Sequence, residues 1–181
     1  MIYVFLANGF EEIEGLTVVD FLRRAELDVC TVGVGGKLIT GAHNIPVFCD
    51  LDKSEVRLDD ELRAVVLPGG MPGTLNLEKS ETVKKAVNYC ADNDRFVCAI
   101  CAAPSILGHM GLLKGKKACC FPGFENELEG ADVGRDYVCC DGKFITAKGM
   151  GAAIDFSEKI TACLINENKA KKIKESLQCP Y

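Results

Sequence analysis

The sequence predicts an α/β fold in which helices cover both faces of a mostly parallel sheet. Apolar runs of strand length alternate along the chain with segments whose apolar residues recur at helical spacing. This alternation is typical of parallel sheets, because parallel strands are usually joined by a helical crossover. The chain has no internal repeat, no low-complexity linker and no break in composition, so we expect one domain over residues 1–181.

The first half of the chain supplies strands and helices in alternation. Strands are predicted at IYVFLA (2–7), DVCTVGV (28–34), IPVFC (45–49) and RAVVL (63–67), the last of which stops at Pro68. Helices are predicted over 13–25 and 81–93. The first of these helices is acidic at its start and basic at its end, which suits the helix dipole. The second shows apolar residues at helical spacing.

The second half continues the pattern. Strands are predicted at RFVCAI (95–100), KKACCF (116–121), DYVCCD (136–141) and KFITA (143–147). Helices are predicted over 103–110, 153–164 and 170–177. The dipeptide DG between the last two strands is a hairpin signal.

Composition excludes several classes of protein. Apolar residues make up 48% and charged residues 26% of the chain, which is the balance of a globular protein rather than a disordered one. The formal net charge is -5 and no basic patch contains stacking aromatics, so nucleic acid is not expected as a partner. The apolar stretch at the start is too short for a signal peptide or a membrane span, and nothing longer follows. We therefore expect a cytoplasmic protein with no membrane partner.

The chain contains eleven cysteines, an odd number with no regular spacing. This argues against a secreted disulfide framework. Free cysteine is among the most buried residue types, so most of the eleven are expected to fill the core. The neighbouring pairs Cys119–Cys120 and Cys139–Cys140 lie in strand-like runs and are predicted to be neither bridges nor metal sites.

Cys101 stands apart because it follows the strand that ends at Ile100 and precedes a helix that begins near Ala103. In parallel sheets, sites form outside the carboxyl ends of the strands. A helix N-terminus favours thiolate over thiol, and a strand-turn-helix elbow projects a nucleophile. Two interpretations stay open at this point, a nucleophile and one more buried small residue.

Other uses of Cys101 fit less well. A redox pair with Cys98 is disfavoured, because residues three apart in a strand are ~10 Å apart at Cα, beyond the ~7 Å limit for a disulfide. Zinc is disfavoured, since the chain has no second C-x-x-C motif and only two histidines. A Cys-His dyad is not supported. His109 lies about 12 Å from Cys101 along the helix. His43 lies in a loop outside the predicted elements, from which it could approach Cys101 only through the fold or from another subunit.

Two further loops are expected at the same edge of the sheet. After the first strand come Glu11, Glu12 and Glu14, of which the first two are interpreted as acids that compensate a helix dipole. A glutamate that points toward a thiolate would have a raised pKa and would stay protonated. The loop PGGMPG offers backbone N–H groups that resemble an oxyanion hole. The segment GMGAA (149–153) lacks a full dinucleotide fingerprint and is interpreted as helix packing.

The stretches EEIE (11–14), LPGG (67–70) and AICAAPSIL (99–107) together resemble the ThiJ/PfpI superfamily, in the branch of the Parkinson's-disease protein and its bacterial relatives. GFE (123–125) and AAIDF (152–156) extend the resemblance over essentially the whole chain. It implies a flavodoxin-like three-layer sandwich, similar to class I glutamine amidotransferases, and a homodimer. It also implies a pocket without metal or cofactor, formed by a reactive Cys101, a protonated Glu14 and the backbone around Gly69, Gly70 and Ala102.

The resemblance implies a cofactor-independent glyoxalase or deglycase that acts on small aldehydes such as methylglyoxal. The alternative is an oxidative-stress sensor that uses oxidation of the same cysteine, and a third hypothesis is a binding module in which Cys101 is inert. Phe121 stands where some relatives have a histidine, which argues against the Cys-His peptidase activity of the PfpI branch. An arginine that some relatives place near the dimer interface corresponds to His43, and no role is transferred to it.

Overall fold

The computed structural model describes residues 1–179, and over most of that range strands and helices alternate as predicted. The strands are β1 Ile2–Ala7, β2 Val29–Val34, β3 Leu38–Thr40, β4 Pro46–Phe48, β5 Leu51–Asp52, β6 Ala64–Leu67, β7 Phe96–Ile100, β8 Lys117–Ala118, β9 Asp132–Val133, β10 Val138–Asp141 and β11 Phe144–Ala147. The α-helices are α1 Glu12–Arg24, α2 Gly73–Glu78, α3 Glu81–Asp92, α4 Pro104–His109, α5 Ala153–Leu164 and α6 Glu167–Ser176. A single domain over 1–181 stays a prediction, because residues 180 and 181 lie outside the described range.

Seven strands form the central sheet in the order β10-β11-β7-β6-β1-β2-β5. All neighbours pair in parallel except β10 and β11, which form the antiparallel hairpin predicted from the DG dipeptide. Strands β1, β6 and β7 lie in the interior of the sheet and are buried along almost their whole length. A strand that is covered on both faces must be apolar throughout, which is why these three read as continuous apolar runs.

Helices cover both faces of this sheet. On one face, α1 and α5 contribute Val18, Leu22, Phe156 and Ile160 to a core cluster that also holds strand residues such as Val4. On the other face, α2, α3 and α4 contribute residues such as Leu77, Val87 and Ile106. The flavodoxin-like three-layer sandwich is therefore confirmed.

The parallel register aligns the carboxyl ends of the interior strands. Leu67 of β6 pairs with Ala99 of β7, and Ile100 of β7 pairs with Ala147 of β11. The loops after β1, β6, β7 and β11 therefore emerge at the same edge of the sheet, where sites of open α/β sheets form.

The elements that sequence periodicity missed are short. They are β3, which pairs with β4 in a separate hairpin, together with β5, β9 and α2. The predicted strand over 116–121 is wrong beyond Ala118. The Cys119 amide donates to the side-chain hydroxyl of Thr146 at 2.9 Å instead of to a backbone carbonyl of a neighbouring strand. The Phe121 amide donates to the Cys101 carbonyl at 2.8 Å. Cys119 and Cys120 are buried without strand pairing, whereas the Phe121 side chain is 47% exposed.

Candidate active site

Cys101 sits at a sharp turn between β7 and α4, as the sequence predicts. Its φ angle is +66°, in the left-handed region that residues other than glycine seldom occupy. The turn is held from both sides, because the Cys101 amide donates to the Ala147 carbonyl and the Cys101 carbonyl accepts from Phe121, each at 2.8 Å. A left-handed residue costs on the order of 1–2 kcal/mol, so the surrounding structure must over-determine this conformation. The arrangement is that of a nucleophile elbow.

The backbone N–H groups of Gly70 and Ala102 lie beside the sulfur of Cys101. Both act as hydrogen-bond donors that favour the thiolate. They come from the loop after β6 and from the residue that follows Cys101, so two adjacent strand ends supply them. The two donors predicted for an oxyanion pocket are thus brought together with the cysteine.

Glu14 points from the first turn of α1 into the same pocket. Its side chain is buried, its Oε2 accepts a hydrogen bond from the Gly69 amide at 2.9 Å, and it is hydrogen-bonded to Cys101. Burial raises the pKa of Glu14 to about 7, against hydrogen bonds from Cys101, Gly69 and Met150 that favour the charged form. At neutral pH a substantial fraction of Glu14 is therefore protonated and able to donate to the sulfur.

Gly69 makes this close approach possible. A Cβ atom on Gly69 would lie 2.6 Å from Cys101 Cβ and 2.8 Å from Glu14 Oε2. Neither neighbour can retreat, since Cys101 is fixed by its turn and Glu14 is buried. The pocket therefore requires glycine at position 69, and this steric role adds to the donation from its amide.

Cys101 and Glu14 form a coupled pair of acids. Burial, followed by the charge of Glu14 and the hydrogen bond to it, raises the pKa of the Cys101 thiol to about 12, while the Ala102 and Gly70 amides oppose the increase. The share due to Glu14 exists only while its carboxyl is charged, because a protonated carboxyl donates to the thiolate instead of repelling it. Burial outweighs the Ala102 and Gly70 amides, and a proton on Glu14 would remove the part of the increase that its charge supplies.

The loop after β11 also borders the pocket, which sequence analysis did not foresee. The Met150 amide interacts with the Glu14 carboxyl, and a Cβ on Gly149 would lie 3.7 Å from Glu14 Oε1 and 3.2 Å from the ring of Phe121. GMGAA is thus a part of the site wall in addition to a helix start. The contact could be predicted only from the strand order, which puts β11 beside the strand that precedes Cys101.

Glu11 and Glu12 do more than compensate a helix dipole. Glu11 caps α1 by accepting a hydrogen bond from the Ile13 amide. Glu12 is buried and binds the β3–β4 hairpin, where it accepts hydrogen bonds from the His43 amide at 2.8 Å and the Ile45 amide at 3.5 Å. His43 Nδ1 lies 2.9 Å from Glu12 Oε2 and 3.5 Å from Glu11 Oε2. Glu12 therefore joins the hairpin to α1.

Neither histidine is bonded to Cys101. His43 contacts Glu11 and Glu12, and His109 Nδ1 and Nε2 lie 2.5 Å and 2.8 Å from carboxylate oxygens of Glu78 and Glu127. Cys98 is fully buried in the core, where burial raises its pKa well above the ordinary value. Among residues 1–179, Glu11, Glu12 and His43 form the one group of three side chains whose ligand atoms are close enough together to hold a metal ion. Both carboxylate oxygens of Glu12 already contact the His43 amide and ring.

None of the helices in residues 1–179 is long and apolar enough to cross a membrane.

Comparison with known proteins matches residues 1–163 to the DJ-1/PfpI family. Protein DJ-1 homolog B of Arabidopsis thaliana is 33% identical over 171 residues, and the match spans 93% of this chain but 39% of that longer protein. A protein of Pyrococcus abyssi named as a deglycase is 29% identical over 83% of this chain and 90% of its own length. The structure named as oxidized DJ-1 of Toxoplasma gondii superimposes with a TM-score of 0.94, 31% identity and coverage of 99% of this chain and 98% of that one.

Proposed function

The chain belongs to the DJ-1/PfpI family, and on that premise we propose that it is a cofactor-independent enzyme of glyoxalase or deglycase type that acts on small reactive aldehydes such as methylglyoxal. The observation that carries the proposal is the contact of a buried, proton-bearing Glu14 with a cysteine held at a nucleophile elbow. A relative that is named as a deglycase supports the same class of activity.

In the proposed reaction, the Cys101 sulfur adds to the aldehyde carbon and forms a hemithioacetal. The oxyanion that develops is stabilised by the Gly70 and Ala102 amides, which already lie beside the sulfur. The oxyanion takes up the proton of Glu14, and the resulting Glu14 carboxylate removes the proton from the former aldehyde carbon. The hydroxyl proton passes to the neighbouring oxygen while Glu14 returns its proton to the neighbouring carbon, which gives a thioester of the hydroxy acid. Water hydrolyses the thioester, so that methylglyoxal and one water become lactate and the thiol is restored. A carboxyl with a pKa of about 7 is suited to both proton transfers at neutral pH.

The test is formation of lactate from methylglyoxal by the purified full-length chain. Cys101→Ala is expected to abolish turnover. The matched control is Cys30→Ala, since Cys30 is also partly exposed but lies on β2, away from the pocket. Absence of lactate with the unmodified chain, or equal turnover in Cys101→Ala, would contradict the proposal.

An oxidative sensor is the second candidate function. A solved relative with a TM-score of 0.94 is named as oxidized, and a protonated Glu14 is placed to donate a hydrogen bond to an oxygen on the Cys101 sulfur. Under this proposal, two molecules of peroxide convert Cys101 through a sulfenic acid to a sulfinate ahead of the other thiols, and aldehyde is not turned over. Peptide mass mapping after peroxide, run beside the lactate assay, separates the two functions.

We propose a homodimer, as the family resemblance implies. The hairpin beside α1 exposes large apolar side chains, with Phe48 75% and Leu38 62% exposed, and Ile45 and Ile13 are each 50% exposed. A second copy of the chain would cover these residues and thereby enclose the loop that bears His43. Sedimentation should give about twice the chain mass of 19.6 kDa for the native protein and the single-chain mass for Phe48→Glu. A native protein that sediments as a single chain at micromolar concentration would exclude the dimer.

A cytoplasmic location also stays a proposal. All eleven cysteines are free, and this fits a reducing compartment. Fractionation of the source cells, with the protein followed by antibody, is the measurement that tests it.

A further inference from the structure

A second thiol centre lies away from the Cys101 pocket. Cys140, on the edge strand β10, and Cys163, in the last turn of α5, have their sulfur atoms 4.0 Å apart. Cys140 is exposed and Cys163 is partly exposed. The neighbours Cys139 and Cys140 are predicted not to form a bridge with each other, and the contact of Cys140 is with a cysteine 23 residues further along the chain.

The sheet register explains why these two cysteines meet. Cys140 pairs with Ile145 of β11, and Ile145 pairs with Cys98 of β7, so the three residues form a row across neighbouring strands. Ile145 and Cys98 belong to the core on the face covered by α5. Cys140 lies at the exposed end of this row, and Cys163 of α5 contacts it from the helix that covers this face. The contact is therefore fixed by the central sheet and by α5 rather than by a loop.

We propose that Cys140 and Cys163 are a site of disulfide formation by peroxides, independent of the chemistry at Cys101. The exposed Cys140 thiolate attacks the peroxide O–O bond and becomes a sulfenic acid, with release of water or an alcohol. The Cys163 thiol then attacks the Cys140 sulfur, the S–S bond forms and the hydroxyl leaves as water. The two thiols together lose two electrons and two protons, and one peroxide is reduced.

The geometry favours this order of events. A disulfide requires sulfur atoms about 2.05 Å apart, so the present separation of 4.0 Å must shorten by about half. Burial and then the neighbouring Cys140 raise the pKa of Cys163 to about 11, whereas the charge of Lys159 one turn earlier lowers it. Cys140 is the more exposed of the two thiols, so peroxide in water reaches it first and Cys163 is left to resolve the sulfenic acid.

The molecule contains its own control pair. Cys139 is the next residue along β10, so its side chain lies on the opposite face of the strand, where it interacts with the Cys119 sulfur. Cys119 and Cys139 are both buried. Peroxide in water reaches the exposed pair and not this one, so only the Cys140–Cys163 pair is expected to oxidise.

The experiment uses the full chain with Cys101→Ser, so that the pocket thiol does not compete for oxidant. Hydrogen peroxide is added at one equivalent and removed, the protein is unfolded in urea, free thiols are blocked with N-ethylmaleimide, and the protein is digested without reductant. We expect a cross-linked peptide pair that contains Cys140 and Cys163 and is two hydrogen atoms lighter than the reduced pair. Cys119 and Cys139 should both carry the blocking group. When Cys163→Ser is added to this background, dimedone should label Cys140, because the sulfenic acid can no longer be resolved.

Three results would overturn the proposal. The first is blocking of Cys140 and Cys163 as free thiols after peroxide. The second is a disulfide between Cys140 residues of two chains, seen as a dimer on a non-reducing gel. The third is equal dimedone labelling of Cys140 with and without Cys163, which would show that Cys163 does not resolve the sulfenic acid.

Discussion

Glu12 and Glu14 lie in the same first turn of α1, and their acid-base properties differ in direction. Both are buried, with exposures of 5% and 1%. Burial alone raises the pKa of each carboxyl. For Glu12, hydrogen bonds from the His43 ring and from the backbone of His43 and Ile45 reverse that effect and lower its pKa. For Glu14, burial prevails and the pKa rises to about 7.

The difference shows that the depth of burial and the donors that each carboxyl meets together assign the two carboxyls their tasks. Glu12 faces a hairpin loop whose amides have no other strand partner, so it is held as an anion. Glu14 faces Gly69, Met150 and the sulfur of Cys101, which offer fewer donors to the charged form and a second acid that shares its proton. One residue is thus suited to fastening the hairpin, and the other to moving a proton.

The largest expected effect is on turnover, which should depend on Glu14 and not on Glu12. Glu14→Gln keeps a hydrogen-bond donor beside Cys101 but cannot transfer a proton. Lactate formation from methylglyoxal should fall about 100-fold or more, the usual contribution of a general acid-base group. Cys101 should keep its reactivity toward iodoacetamide, measured by peptide mapping. Glu14→Leu removes the donor as well, so the Cys101 pKa should rise, as seen in thiolate absorbance against pH with Cys101→Ser subtracted. Unchanged turnover in both variants would show that Glu14 is only a helix-start acid.

A second expected effect concerns stability against pH. Because the folded pKa of Glu14 is raised from 4.5 to about 7, its contribution to stability is complete below pH 4.5 and is lost as the pH rises through about 7. This shift corresponds to about 3 kcal/mol in the free energy of unfolding. When the pH is raised from 4 to 8, the free energy of unfolding of Glu14→Gln in urea should therefore increase by about 3 kcal/mol relative to that of the native protein.

Glu12→Gln should show the opposite sign in a lower pH window. The folded pKa of Glu12 is lowered, so its stabilising contribution is present above pH 4.5 and is lost as the pH falls further. A native protein whose stability relative to both variants changed in the same direction would contradict the comparison.

The third expected effect is loss of the hairpin anchor. Glu12→Ala leaves the His43 and Ile45 amides without their acceptor, and the loss of each such partly buried hydrogen bond costs about 0.5–1.5 kcal/mol. The midpoint of urea unfolding should fall accordingly, while the remaining folded protein keeps its turnover per molecule. A loss of turnover without a loss of stability would place Glu12 in the reaction instead.

The smallest expected effect is at His43, whose side chain is exposed. The hydrogen bond to Glu12, followed by the charges of Glu11 and Glu12, raises the pKa of His43. Its contribution to stability is therefore present below pH 6.5 and is lost as the pH rises through the raised value. His43→Gln should lower the unfolding midpoint slightly at pH 5.5 and not at pH 9. An equal decrease at both values would show that the ring charge has no part in the contact.

Local sequence patterns predicted the features that depend on one element at a time. Continuous apolar runs identified β1 and β7, the DG dipeptide identified the last hairpin, and the end of a strand at Ile100 identified the turn at Cys101. The pairing of Glu14 with Cys101 followed from the parallel order of the strands, and the resemblance singled out Glu14 among three candidate acids.

Features that join distant elements were not predictable in this way. The role of Glu12 depends on a hairpin whose strands are three residues each, too short to show periodicity. The Met150 contact required the position of β11 beside β7, and the Cys140–Cys163 contact required the register across three strands. In each case the residue type could be read from the sequence, but the distance between the two side chains in the folded protein could not.

The hydrogen bonds around the left-handed turn have a consequence for exchange with solvent deuterium. Cys101 lies in a connection at the sheet edge, where amides ordinarily exchange within seconds to minutes because local opening is easy. Here the Cys101 amide is bonded to Ala147 and the Phe121 amide to Cys101, each at 2.8 Å, so the turn is tied into the backbone of β11 on one side and into the 119–121 segment on the other. Both amides should open only together with the central sheet. The residue that we assign to the chemistry therefore belongs, by its backbone, to the slowest-exchanging part of the protein.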